Sequence, residues 1–119
     1  MEKFNPHVIL SAAISIDGKI STKIGDSKLS SKSDSIRLHK LRSKVDAILI
    51  GKNTLLQDDP LLTVRYTKGK NPIRIILDST GSIPINSRII KTSNDVPTII
   101  AVSKKITKKN LLKLQHQKL

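Results

Sequence analysis

Asp46-Ala47-Ile48-Leu49-Ile50-Gly51-Lys52-Asn53-Thr54-Leu55-Leu56-Gln57-Asp58-Asp59-Pro60-Leu61-Leu62-Thr63-Val64-Arg65 is the stretch on which the fold turns. It begins as a short apolar run, breaks at Gly51, and passes through polar Asn53 and Thr54 into one or two helical turns. An Asp58-Asp59-Pro60 corner follows. An apolar strand that ends in glycine and runs into a helix N-terminus leaves main-chain N–H groups free to face an anion. Such a junction lies at the carboxyl end of its strand, where open α/β sheets place their ligands. Most strand–glycine–helix junctions only reverse the chain. Here Thr54, Asp58, Asp59 and Arg65 all fall within residues 51–65, which makes the junction a candidate site.

On either side, the pattern repeats. Upstream, His7 to Ile16 is apolar and small, bounded by Pro6 and by the Asp17-Gly18 turn, and predicts a buried strand. Residues 21–35 are rich in Ser, Lys and Gly and predict a loop, with Ser33 or Asp34 as N-cap of the helix that follows. That helix carries Ile36, Leu38, Leu41 and Val45 as an imperfect apolar face. Arg37, Lys40 and Lys44 face water, and Arg42 stands at the edge of the buried side. Downstream, residues 67–72 form a polar turn and Ile73 to Asp78 a second strand. If parallel to the first, that strand places Ser79 at the same sheet edge as Gly51. Residues 81–87 are loop, 97–103 a third core strand, and Thr107 caps a last helix bearing Leu111, Leu112 and Leu114. Strands alternating with helices predict an α/β fold with a largely parallel sheet.

Composition narrows the partners. With 119 residues the chain holds one domain at most. Its 22 basic against 9 acidic residues give a net charge of +13, which favours nucleic acid or phosphorylated small molecules. There are no cysteines, hence no disulfide and no thiolate metal site. His7, His39 and His116 show no metal-ligand spacing, and a structural or surface role is the common fate of such residues. No metal site is expected. The absence of a signal-peptide core or of a ~20-residue apolar span predicts a cytoplasmic protein with no membrane partner.

Four motifs occur in one order. They are Ala13-x-Ser15-x-Asp17-Gly18-Lys19; Leu41-Arg42-Ser43-x-x-Asp46-Ala47-Ile48-Leu49-x-Gly51; Thr54-x-x-x-Asp58-Asp59-Pro60-x-Leu62-Thr63-x-Arg65; and Pro72-x-Arg74-x-x-x-Asp78-Ser79. Together they resemble the pyrimidine reductases of riboflavin biosynthesis. That family comprises the archaeal and fungal 2,5-diamino-6-ribosylamino-4(3H)-pyrimidinone 5′-phosphate reductases and the reductase domain of bacterial RibD. The resemblance implies a dihydrofolate-reductase-like α/β fold with a mostly parallel central sheet flanked by helices, NADPH as cofactor, and a homodimer.

Position by position, the resemblance assigns Ala13, Thr54, Asp58 and Ser79 to the NADPH site. It assigns Ser27, Arg42, Leu62 and Arg65 to the phosphorylated pyrimidine substrate. The residue types suit those roles. Thr offers donor and acceptor together, Asp accepts from ribose hydroxyls or a carboxamide, and Arg matches phosphate bidentately. No catalytic acid stands out. The family domain continues with a further strand, a Gly-Gly turn over the cofactor pyrophosphate and an Asp-Glu stretch. Residues 1–119 are accordingly expected to be the N-terminal portion of one such domain, with little activity alone.

The implied reaction is hydride transfer to C1′ of the ring-opened ribosylamino group, giving the ribitylamino product. Such a step rests on holding donor and acceptor carbons together. A deaminase signature of the H-x-E and P-C-x-x-C type is missing from this sequence, so reduction before deamination is the expected order. Three other readings compete. A basic nucleic-acid-binding module follows from the charge, but only Phe4 and Tyr66 are available to stack on bases. A dihydrofolate reductase proper needs a folate-binding acid motif that is not found. A non-catalytic truncated homologue of the reductases is the third.

Overall fold

Ile48, Arg74 and Thr98 lie side by side across three parallel strands, and the layer behind them decides what the fold can hold. The computed structural model describes residues 5–11 and 32–115. The chain divides into two units, Met1–Ser30 and Ser31–Leu119. In the first, residues 5–11 carry no regular secondary structure. In the second, the order is α1 (Lys32–Arg42), β1 (Ala47–Gly51), α2 (Lys52–Asp58), β2 (Ile73–Leu77), α3 (Arg88–Lys91), β3 (Thr98–Ala101) and α4 (Lys108–Gln115).

The sheet has the order β1-β2-β3 and both pairings are parallel, as the alternation of elements predicts. Gly51 pairs with Leu77, and Leu77 with Ala101, so all three carboxyl ends lie on one edge. One face of the sheet (Ile48, Ile50, Ile76, Ile100) packs against Leu55 of α2, Leu62, Ile83, Ile89 and Ile90 of α3, and Leu114 of α4. Burying each such side chain contributes roughly 1.5–3 kcal/mol. The opposite face is apolar as well, yet Leu49 and Ile99, which flank Ile75 in one cross-strand row, are half exposed at 56% and 51%. The continuous apolar runs in β1 and β2 thus serve one packed face among the described residues.

Arg74 stands on the packed face, fully buried. Its Nε and Nη2 donate to Thr98 Oγ1 at 3.1 and 2.8 Å, and Nη1 donates to Thr92 Oγ1 at 2.8 Å and Leu61 O at 3.0 Å. Nη2 also donates to Ile89 O at 3.0 Å. One planar guanidinium therefore binds β3, α3 and the segment after the Asp58-Asp59-Pro60 corner. Burial lowers its pKa from the ordinary arginine value, and the ring of neutral acceptors holds the charge in place.

Several elements differ from the sequence expectation. Residues 7–11 of the anticipated first strand have no strand pairing, Val8 and Leu10 are exposed, and residues 12–16 lie outside the described residues. Apolar composition makes a strand possible, but a ladder partner makes it a strand. Helix α1 starts at Lys32, so Ser33 and Asp34 lie inside its first turn instead of capping it, and Asp34 Oδ1 accepts from Arg37 Nε at 2.9 Å. Its fully buried residue is His39, while Ile36, Leu38 and Leu41 are half-buried and Val45 lies beyond its end. Helix α3, a single turn, was not anticipated. It begins after Ser87 where Asp59 Oδ1 accepts the Arg88 N–H at 2.9 Å, a long-range contact with no local signature. Thr107 caps α4 as expected, its Oγ1 accepting the Asn110 N–H at 3.1 Å. Among the described residues no helix is long and apolar enough to cross a membrane.

Candidate active site

Residues 59–65 have no regular secondary structure, yet main-chain groups of Asp59, Leu61, Thr63, Val64 and Arg65 are each hydrogen-bonded. The segment enters through Asp59, which is left-handed (φ 42°) and donates its N–H to Leu55 O to end α2. Leu62 is left-handed too (φ 56°), a costly conformation for a side chain of its bulk. It is retained because its side chain is buried in the core and because the flanking main chain is bound by side chains from elsewhere. Leu61 O accepts from Arg74, Thr63 O from Arg42 Nη1 at 3.2 Å, and Val64 N donates to Asn71 Oδ1 at 2.8 Å. Arg65 N donates to His39 Nδ1 at 2.9 Å. An irregular backbone needs such partners in place of a ladder.

The result is a basic cluster. Arg42, on the last turn of α1, and Arg65 lie close enough that each charge is felt at His39, and Arg65 is felt at Arg42. Burial first, then Arg42 and Arg65, lower the His39 pKa below its ordinary value. Burial first, then Arg65, lower that of Arg42. Arg42 Nε is buried without a hydrogen-bond partner among the described residues. Tyr66 packs on the imidazole at a centroid separation of 4.4 Å, tilted by 48°. The ion pair present among the described residues is Asp34–Arg37, so neither arginine of the cluster is neutralised by a described carboxylate. Such a concentration of positive charge favours an anion.

The second group of candidates lies at the carboxyl edge of the sheet. Thr54 is exposed in the first turn of α2, directly after β1, and Ser79 is exposed directly after β2. The Gly51–Leu77 register sets the two strand ends side by side. A Cβ built on Gly51 would meet nothing within 4 Å, so the strip beside it is open. Asp58 is exposed at the last residue of α2. Beneath this edge Asp78 is buried, its Oδ2 accepting the Ile83 N–H at 2.9 Å, and Ser79 O accepts from Ser103 N and Oγ at 3.1 and 2.9 Å. These bonds set the loop after β2.

The sequence candidates thus fall into two sets, Thr54 and Ser79 at the sheet edge and Arg42 with Arg65 around His39. Leu62 is buried as a whole residue and contributes its side chain to the core. Ala13 and Ser27 lie outside the described residues. The sequence predicts a structural or surface role for His39, and its buried ring accepting the Arg65 N–H is structural; Arg74 is given no role there. His39 had one usable signal, its place three residues before Arg42 on the same helix face. Arg74 had its place in the fourth motif, but that place gave it no role, and a basic residue in an apolar run reads equally as an edge position. Among the described residues no group of three or more His, Asp or Glu side chains is placed to hold a metal ion.

The family described as the RibD C-terminal domain matches residues 6–117. A 2,5-diamino-6-ribosylamino-4(3H)-pyrimidinone 5′-phosphate reductase of Methanothermobacter thermautotrophicus is 41% identical over 115 residues, covering 94% of this chain and 52% of that protein. The protein of the same name from Aquifex aeolicus is 42% identical, with 93% and 51% covered. Among solved structures, a Thermotoga maritima diaminohydroxyphosphoribosylaminopyrimidine deaminase/5-amino-6-(5-phosphoribosylamino)uracil reductase superposes with a TM-score of 0.70 at 31% identity. That match covers 83% of this chain and 29% of that one. The chain spans about half the length of the curated reductases it matches.

Proposed function

Because the chain belongs to the RibD C-terminal domain family, we propose that it acts in NADPH-dependent reduction of a ribosylamino-pyrimidine 5′-phosphate to its ribitylamino form, in riboflavin biosynthesis. The observation that carries this reading is the pair Arg42 and Arg65. They lie 23 positions apart in sequence and are brought together around His39 with no described carboxylate between them. A phosphate monoester is the anion that such a fork-bearing pair fits.

In this reading Arg42 and Arg65 hold the substrate phosphate, and Ser27 and Leu62 add further substrate contacts. Arg42 is oriented by Thr63 O, and Arg65 by the bond from its own N–H to His39, so both guanidinium groups start from anchored stems. Binding the phosphate far from C1′ uses a remote group to position the reacting one. The carboxyl edge suits a dinucleotide: Thr54 and Ser79 present hydroxyls just beyond the ends of adjacent parallel strands, beside the open strip at Gly51, and Ala13 and Asp58 complete the set. NADPH, when bound, supplies the hydride. Thr54, Asp58 and Ser79 would orient it by donating to and accepting from its ribose and carboxamide groups. The same reading carries a homodimer and a cytoplasmic setting, and light scattering on the purified protein tests the first.

The test uses the full-length protein that contains this chain. Incubation with 2,5-diamino-6-ribosylamino-4(3H)-pyrimidinone 5′-phosphate should consume NADPH and yield the ribitylamino product, with NADH much less effective. No turnover with either the diamino substrate or its deaminated form would overturn the assignment. Turnover confined to the deaminated form would reverse the expected order of steps.

A further inference from the structure

His39 is buried, and both of its ring nitrogens have polar neighbours. Nδ1 accepts the Arg65 main-chain N–H at 2.9 Å, so it holds a lone pair and the neutral ring carries its proton on Nε2. Nε2 stands 3.3 Å from Arg42 Nη1. A guanidinium nitrogen is only ever a donor. Two donors therefore face one another, and the 3.3 Å contact is not a hydrogen bond between them. Such an arrangement is stable when one acceptor takes both protons. Tyr66 on the imidazole face fixes the ring plane, and the Arg65 bond fixes its tautomer, so Nε2–H has one direction to point.

We infer that His39 is a third donor of the anion site, presenting Nε2–H to the phosphate of a phosphate-monoester ligand together with the guanidinium groups of Arg42 and Arg65. This rests on the reading of the two arginines as a phosphate clamp. The histidine then joins two tasks in one ring. One nitrogen holds the backbone that carries Arg65, and the other touches the ligand that Arg65 binds.

Two substitutions separate the tasks. His39→Asn places an amide oxygen near the position of Nδ1, keeping an acceptor for the Arg65 N–H and leaving nothing at Nε2. His39→Gln places an amide N–H near Nε2 and leaves nothing at Nδ1. The probe is ribose 5-phosphate, with ribose as the uncharged control, titrated calorimetrically into the full-length protein below its melting temperature. His39→Asn should keep the wild-type Tm yet bind ribose 5-phosphate about tenfold more weakly, and His39→Gln should melt earlier yet bind within about threefold of wild type. In the unsubstituted protein, ring-nitrogen NMR should show a protonated Nε2 whose resonance moves when ribose 5-phosphate is added and stays put with ribose. Unchanged affinity in His39→Asn, or an Nε2 resonance indifferent to the phosphate, would overturn the role of His39 while leaving the clamp intact. Absence of ribose 5-phosphate binding in the wild type, or full binding by Arg65→Ala, would overturn the clamp and this inference with it.

Discussion

Arg74 Nη1 donates to the main-chain oxygen of Leu61 at 3.0 Å, from the centre of the sheet to a segment with no secondary structure of its own. The bond links the most buried charge in the described protein to the segment that carries Arg65. Stability and the candidate phosphate site therefore share one guanidinium, and the two can be separated by choosing which residue to change.

Arg74→Met should be severely destabilising. It would strand Leu61 O, Ile89 O, Thr92 Oγ1 and Thr98 Oγ1 in a buried setting, at a cost of about 3 kcal/mol or more. At this chain length that corresponds to a fall in Tm of roughly 10 °C. Arg74→Lys should recover only part, since one ammonium cannot reach acceptors on three elements. Thermal melts of both variants check this, and a Met variant as stable as wild type would refute it.

Arg65→Ala should behave in the opposite way. Its structural bond to His39 is made by the main-chain N–H, which every substitution but proline retains, so stability should stay within about 0.5 kcal/mol of wild type and Tm should hardly move. The guanidinium should matter to the ligand alone. A charge-assisted bond of roughly 1.5–3 kcal/mol predicts a ten- to hundredfold loss in kcat/KM of the full-length protein, mostly as raised KM. Arg65→Lys should restore a part of that. An early melt together with weakened NADPH binding would instead make Arg65 a strut.

Gly81 should not tolerate alanine. Its φ of 65° is left-handed, and a Cβ there would come within 2.5 Å of Ile106 Cδ1 and 3.3 Å of Leu114 Cδ1. Backbone strain of roughly 1 kcal/mol adds to overpacking of about 1–3 kcal/mol against Ile106 and, in α4, Leu114. The variant should lose α4 protection first in hydrogen exchange, whereas uniform loss would place the strain elsewhere.

Acid should weaken the fold through His39. Burial, then Arg42 and Arg65, hold its pKa below the ordinary 6.5, so the folded state favours the neutral ring. As pH falls through about 6.5 the unfolded chain takes up a proton that the folded chain does not. The stability contributed by the neutral ring, present above that pH, is lost toward the depressed folded value. Protonation of Nδ1 would also remove the acceptor for the Arg65 N–H. Melting wild type and His39→Asn at about pH 7.5 and about pH 5 should show the larger acid loss in wild type. Equal losses would remove His39 from the account.

How much of this was legible in the chain follows from the range of each interaction. The stretch Asp46–Arg65 reported its strand, the break at Gly51 and the short helix correctly, because apolar runs, glycine and helix starts are local signals. The parallel order followed from alternation, since parallel neighbours require a crossover. Thr107 was readable as a cap because its partner, Asn110, is three residues away.

Tertiary structure alone decided the rest. Arg74 became a core residue because Leu61, Ile89, Thr92 and Thr98 converge on it from 13 to 24 positions away, which no window of sequence displays. Helix α3 formed where Asp59 reached Arg88 across 29 residues. His39 looked like an ordinary helix residue until the chain returned 26 positions later and laid the Arg65 N–H on Nδ1. Residue types, spacing and family were written in the chain. Which side chain would lend its hydrogen bonds to a backbone with no ladder was settled only when distant segments met.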